Sequence, residues 1–307
     1  MRLFGFLVGV LALGSTLVPN EARAGKYDLD LTPLGEQTAN GIQQNDGAFR
    51  SLSSQLGVLM APQPVDPADS LGLSGFALSA DISINTIAEA EDYWDLTADG
   101  PDTVAPTLQV MGRKGLWPGF EVGGGATHLF DSRMWAMSGY GKFAFHEGFH
   151  HLPIPSIAVR ASFSRLLGAK DFNMTTAAPA VNISHLFGLG KSFSVTPYVG
   201  YEALIIIARS TVLDATPNCD EFADAYNEMA CAGLDASVPS EFVFQNAGAI
   251  IRHRPFFGAR MIFSVIRLGF EAMFVPGGNS QGSLDGVSVE DASALQQQYT
   301  FSVGLDF

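Results

Sequence analysis

The chain has 307 residues, of which 47% are apolar and only 16% charged, with 33 glycines, 23 phenylalanines and a formal net charge of −14. That acidic balance argues against nucleic acid as a partner, because phosphate binding needs a basic face. Low charge with abundant glycine and phenylalanine suits strands that turn one side to an apolar medium.

Met1 to about Ala24 reads as a signal peptide: Arg2, an apolar run from Leu3 to Leu17, then Ala22-Arg23-Ala24 as a small-residue cleavage site. The mature chain is expected to start near Gly25, and loss of Arg2, Glu21 and Arg23 takes the net charge from −14 to −15. No later stretch offers roughly eighteen consecutive apolar residues, so no helix is expected to cross a bilayer. No cysteine stands near the cleavage site, which disfavours a lipid-anchored protein. A soluble exported protein and a barrel in the outer membrane remain.

Residues 25–70 differ in character from the rest. Asn45-Asp46 caps a predicted helix whose apolar residues Phe49, Leu52, Leu56 and Leu59 recur at three- and four-residue spacing, and Pro62, Pro64 and Pro67 stop it. Its place is open: a periplasmic tether, which is the simpler expectation, a helix on the membrane surface, or a plug inside whatever the later strands enclose.

From about Leu71, period-two alternation divides the chain into ten runs near 71–87, 105–113, 118–129, 134–145, 155–165, 171–187, 191–208, 241–265, 267–275 and 296–307. Counted along antiparallel strands, the long gaps at 88–104, 209–240 and 276–295 all fall at one end, and short gaps fall mostly at the other. Glu89, Glu91, Asp92, Asp95, Asp99 and Asp102 crowd the first long gap; Asp214, Asp220, Glu221, Asp224, Glu228 and Asp235 crowd the second. The only cysteines, Cys219 and Cys231, share that second gap and are read as a disulfide closing a small loop in an oxidising compartment.

The clearest strand is 191–208, where Phe193, Val195, Pro197, Val199, Tyr201, Ala203, Ile205 and Ile207 alternate with mostly polar residues. Its upper end is apolar on both faces, for which the pattern offers no reason. Between 257 and 275 the parity reverses, and a two-residue turn at Ile266-Arg267 restores a consistent face; the competing placement puts a turn at Arg252-His-Arg-Pro255 and a bulge near Val265. His146-Glu147-Gly148-Phe149-His150 fits the letters of the zinc-binding H-E-x-x-H helix motif. Its context denies the helix that the chemistry needs: strand-like Gly141–Phe145 precedes it, Gly148 interrupts it, and Pro153 and Pro155 follow. It is read as a chance match at a turn, leaving at most adventitious metal binding by His146, His150 and His151. There is no internal repeat, phosphate loop or Ser-His-Asp spacing, so no catalytic, cofactor or metal residue is singled out.

The last nine residues, Tyr299-Thr-Phe-Ser-Val-Gly-Leu-Asp-Phe307, place Tyr299, Phe301, Val303, Leu305 and Phe307 on one face and end on an aromatic. In this the chain resembles the bacterial outer-membrane β-barrel family, whose last strand carries such an aromatic-ended signal for the barrel-assembly machinery. The resemblance implies an all-β fold, an antiparallel transmembrane up-and-down barrel over residues 71–307, with about ten strands and the short N-terminal helical segment in front. It implies an outer-membrane location, with membrane lipid, lipopolysaccharide and the assembly machinery as partners. Applying one parity to every run then gives a candidate lumen of Asp81, Glu121, Tyr140, Lys142, Arg160, Glu202, Arg260 and Glu271, read as structural filler or, alternatively, as the lining of a narrow gated pore. The expected function is a non-enzymatic structural or porin-like barrel without a cofactor. The alternatives are a surface-binding barrel acting through its acidic loops and a transporter of hydrophobic compounds with an N-terminal plug; no small-molecule substrate is indicated.

Overall fold

A computed structural model describes residues 25–38, 41–97, 100–146, 154–189, 193–216, 219 and 240–307. Ten antiparallel strands close on themselves: β1 Phe76–Thr86, β2 Val104–Trp117, β3 Phe120–Leu129, β4 Trp135–His146, β5 Ser156–Leu167, β6 Phe172–Ser184, β7 Phe193–Ser210, β8 Ile250–Phe263, β9 Ile266–Val275 and β10 Gln296–Asp306. The seam joins β10 to β1, from Gln298 opposite Asn85 to Asp306 opposite Ala77. Closure leaves no free edge, the condition for β-structure in a bilayer, where unpaired backbone groups have no water to bind.

Alternation sorts the side chains. On β1, Leu78, Ile82 and Ile84 point outward while Ser79, Asp81, Ser83 and Asn85 are buried inside. The same alternation holds on β5, with Phe163 outward between inward Ser162 and Ser164, and on β10, with Phe301 and Val303 outward between inward Thr300 and Ser302. An apolar exterior around a polar interior is the reverse of a soluble barrel and matches a lipid surroundings. The two ends also differ. The strand ends Trp117 and Phe120, His146 and Ser156, Ser184 and Phe193, and Phe263 and Ile266, each pair flanking a short connection, share the rim that holds the start of β1 and the end of β10, and we call this the inner rim. The strand ends Thr86 and Val104, Ser210 and Ile250, and Val275 and Gln296, which flank the three long connections, lie at the opposite, outer rim, in keeping with short periplasmic turns and long external loops.

Two expected boundaries are corrected. Phe263 pairs with Ile266, so the tight turn is Ser264-Val265, where Ser264 takes a left-handed φ of 58°, and not Ile266-Arg267 or Arg252–Pro255. Arg267 thereby enters the lumen and is fully buried. The nearly continuous apolar run from Met261 to Ile266 hid this two-residue shift. The run at 241–265 is also broken: Glu241-Phe242 pairs with Leu213-Asp214 above the barrel, and β8 begins only at Ile250.

The helix α1, Asp46–Met60, lies inside the barrel, not in the periplasm. Asn45 Oδ1 accepts the Ala48 N–H at 3.0 Å and Asp46 sits in the first turn, where a carboxylate favours the helix dipole. Every residue from Phe49 to Met60 is buried. Phe49 stacks on Phe244 with ring centroids 4.4 Å apart, and Leu52, Leu56 and Leu59 join one apolar cluster with Leu204, Ile206 and Ala208 of β7. This accounts for the two-sided apolar end of β7: one face meets lipid and the other meets the helix. Gly57 is the point of closest approach, since a Cβ there would lie 2.4 Å from Ile206 Cδ1 and 2.7 Å from Ile206 Cγ1. We expect Gly57→Leu to overpack this contact and cost about 1–3 kcal/mol, read as a lower melting temperature in detergent; an unchanged melting temperature would mean that the helix does not dock against β7.

Candidate functional site

The lumen is filled from rim to rim by α1 and by residues 61–70, and its chemistry is layered. Near the outer rim Arg252, on β8, donates from Nη1 to Ser54 Oγ at 2.7 Å and Ser293 Oγ at 2.6 Å, and from Nη2 to the carbonyls of Pro276 at 2.8 Å and Ala294 at 3.2 Å. Arg50 of the helix reaches the Gly248 and Ala249 carbonyls at 2.9 and 3.2 Å. Gln55 receives the Trp94 indole N–H at 2.7 Å and donates to Tyr93 at 3.0 Å. These bonds tie the helix to three outer loops at once, the third through Arg252.

In the middle layer Glu202 lies between two guanidiniums, 3.2 Å from Arg160 and 3.0 Å from Arg254. Arg160 also lies over the Phe256 ring at 5.3 Å, and Tyr198 donates to Glu271 at 2.9 Å. Gln298 donates to the helix carbonyl of Val58 at 3.0 Å and to Asn85 at 2.9 Å.

The innermost layer converges on Asp66, which no strand carries. Its carboxylate is 2.8 Å from Arg113, 3.3 Å from Arg260 and 3.5 Å from Arg267, and takes a direct bond from Lys142. Four cations thus share one buried carboxylate, whose charge offsets theirs where little water reaches. Backbone groups of the same segment are gripped as well: Gln109 exchanges two 3.0 Å bonds with Gln63, Arg267 donates to the Val65 carbonyl, Asn182 donates to the Asp66 carbonyl at 3.1 Å, and Glu121 accepts the Leu71 N–H at 3.0 Å.

All of the expected lumen residues, Asp81, Glu121, Tyr140, Lys142, Arg160, Glu202, Arg260 and Glu271, are buried in the interior. They do not form one network. Glu121 joins Lys142 and Tyr140 in the inner layer, Glu202 joins Arg160 in the middle one, and Asp81 stands apart with Ser79 and Gln109. Sequence reasoning missed Arg113, Arg252, Arg254, Arg267 and Asp66. Arg252 and Arg254 share the parity of Arg260, so the same phase carried back along β8 identifies both; Asp66 sits among prolines, where no period exists to assign a face.

Tyr299, Phe301, Val303, Leu305 and Phe307 fall on the outward phase of the last strand, and the Phe307 and Phe76 backbones exchange hydrogen bonds of 2.8 and 2.9 Å at the inner rim. His146 ends β4; residues 147–151 of the histidine-rich string lie outside the described residues, as do the leader and Cys231, the partner expected for Cys219.

No family model and no curated protein matches the chain. Among solved structures it is similar to the attachment invasion locus protein Ail of Yersinia pestis, at 8% identity over 76% of this chain and 99% of that one with a TM-score of 0.26. It is similar to the outer membrane protease OmpT of Escherichia coli at 8% identity over 76% and 96%, TM-score 0.34, and to Neisserial surface protein A at 9% over 75% and 95%, TM-score 0.28. At such values the assignment rests on the chain's own register, burial and rim asymmetry. By these it is a closed, ten-stranded antiparallel barrel of the outer-membrane type, with a segment of its own chain packed through the lumen.

Proposed function

We propose that this protein is a non-enzymatic outer-membrane barrel held shut at rest by its own N-terminal segment, whose working surface is the acidic outer cap. The observation that carries this reading is the unbroken run of lumen contacts from Arg50 at the outer rim to Leu71 at the inner one. In this reading the seated segment closes off a porin-like path among the described residues. Membrane lipid and lipopolysaccharide surround the barrel in this reading, and the assembly machinery reads the strand ending at Phe307.

Conductance in planar bilayers tests it. The full-length mature protein is expected to show no steady current. A chain lacking residues 25–70 is expected to conduct and to favour anions, because the buried strand residues then facing the lumen are seven bases, Arg113, Lys142, Arg160, Arg252, Arg254, Arg260 and Arg267, against four acids, Asp81, Glu121, Glu202 and Glu271. Steady current through the intact protein would sink the plugged reading in favour of a resting pore. Gly57→Leu serves as the second variant, since it disturbs the helix while keeping every charge.

A further inference from the structure

The direction in which the N-terminal segment runs is as informative as its presence. Residues 26–30 are attached to the outer rim. Tyr27 donates from its backbone to the Asp131 carbonyl at 3.0 Å and from its hydroxyl to the Val104 carbonyl at 2.8 Å; Asp30 N–H reaches the Leu96 carbonyl at 2.9 Å. Lys26 pairs with Asp102 at 2.7 Å, and Leu29 bridges Thr97. All five partner positions belong to the outer ends of β1–β4 or the loops between them. The chain then enters the lumen at Asp46, passes down as α1, reaches Asp66 in the inner layer, and leaves at the inner rim, where Gly115 N–H bonds the Gly75 carbonyl at 2.9 Å before β1 begins.

The polypeptide therefore crosses the membrane once through the barrel before it crosses it ten times as the wall. A chain exported by an N-terminal leader arrives on the inner side of this membrane, so residues 25–44 can reach the outer cap only through the lumen. The seam at β10 and β1 closes with the last strand made, so the segment is either inside at that moment or drawn in afterwards. The lumen holds one helix, a cylinder of roughly 10 Å across its side chains, which is the bore that a single unfolded strand or helix requires. The wall beside it is rich in hydroxyls, among them Ser83, Ser164, Thr176 and Thr300, which accept or donate to a passing backbone in any register.

We propose that this barrel exports its own N-terminal segment to the cell surface, and that a peptide joined ahead of Gly25 travels with it. The activity is polypeptide translocation in cis, with an unfolded peptide as cargo. It does not depend on the conductance reading, because the side on which residue 36 stands is measured whether or not the lumen conducts.

The test uses the full chain in cells, in a background with Cys219→Ser and Cys231→Ser. Glu36, exposed on the hairpin of Gly35–Thr38 and Gly41–Gln44, and Ser74, exposed at the inner rim, are each changed to cysteine and treated with a membrane-impermeant maleimide. Glu36→Cys is expected to label to the same extent in intact and permeabilised cells, and Ser74→Cys to lose its label when the outer membrane is intact. Label on Glu36→Cys only after permeabilisation overturns the proposal. A hydrophilic epitope placed ahead of Lys26 in the wild-type cysteine background supplies the second readout: antibody binding to intact cells is expected, and an epitope found only in the periplasm beneath an assembled, heat-modifiable barrel overturns the export of cargo. If the serine background fails to assemble, protease removal of the epitope from intact cells decides the same question.

Discussion

Asp66→Asn is expected to be the most damaging single change in the interior, costing about 3–5 kcal/mol at neutral pH, because it strips the shared counter-charge from buried cations and leaves them uncompensated. Arg113, Lys142, Arg260 and Arg267 all lie within ion-pair distance of that one carboxylate, and all four are nearly or wholly buried. Asparagine keeps the volume and one acceptor but removes the charge. The pH dependence identifies the cause. Protonating the carboxylate in acid removes the same charge that asparagine removes at every pH. The gap between wild type and Asp66→Asn, followed by heat-modifiable gel mobility, should therefore be widest near neutrality and shrink in acid. A gap that is constant with pH would mean that packing around residue 66, and not its charge, holds the segment.

Glu202→Gln carries the second large effect, again about 3–5 kcal/mol by the same argument, since it removes the one carboxylate between Arg160 and Arg254. Here the partners stand on the wall itself, so the loss should appear in the melting of the barrel whether or not α1 is present. Replacing Arg254 by Met together with Glu202→Gln is expected to recover a large part of the loss, because a volume-matched apolar group leaves less charge uncompensated; the recovery measures the coupling. Arg165, which is exposed and bonded to Thr175 and Asn173 on its neighbour strand, is the control: Arg165→Gln should shift stability by no more than about 0.5 kcal/mol. Equal losses at Arg165 and Glu202 would refute the distinction between a buried pair and a surface one.

The wall of the barrel was legible in the sequence because lipid on one side and polar filler on the other impose a strict two-residue period. That period located ten strands and assigned Asp81, Glu121 and Glu271 to the interior without any knowledge of partners. It failed where its premise fails. At Ser264-Val265 the turn sits in a nearly continuous apolar run from Met261 to Ile266, so a shift of two residues keeps the parity of both strands, and Arg267 was lost to a turn. Along 61–70 the prolines prevent any regular period, so Asp66 carries no phase even though it gathers four cations. The helix itself was visible from its cap and its spacing, but its location was not, because an apolar stripe reads the same whether it faces a membrane surface or a cavity. Only the unexplained apolar interior of β7, from Leu204 to Ala208, pointed to something seated against it.

The outward apolar residues of β1 run from Phe76 to Ile84, eight residue steps. At about 3.4 Å per step and a tilt of about 40°, they cover roughly 20 Å along the membrane normal. The barrel thus carries its own ruler. On β5 the outward phase runs from Ile157 to Leu167, ten steps or about 26 Å by the same geometry, so a bilayer with a hydrocarbon core of about 30 Å must thin by several Å, most of all at β1, to meet the barrel, whereas the bacterial outer membrane is thinner than average. Short-chain lipids should accordingly accept the protein readily on refolding, and long-chain lipids should resist it, so that thickness alone helps to keep this chain in the one membrane where its outer cap faces the surroundings of the cell.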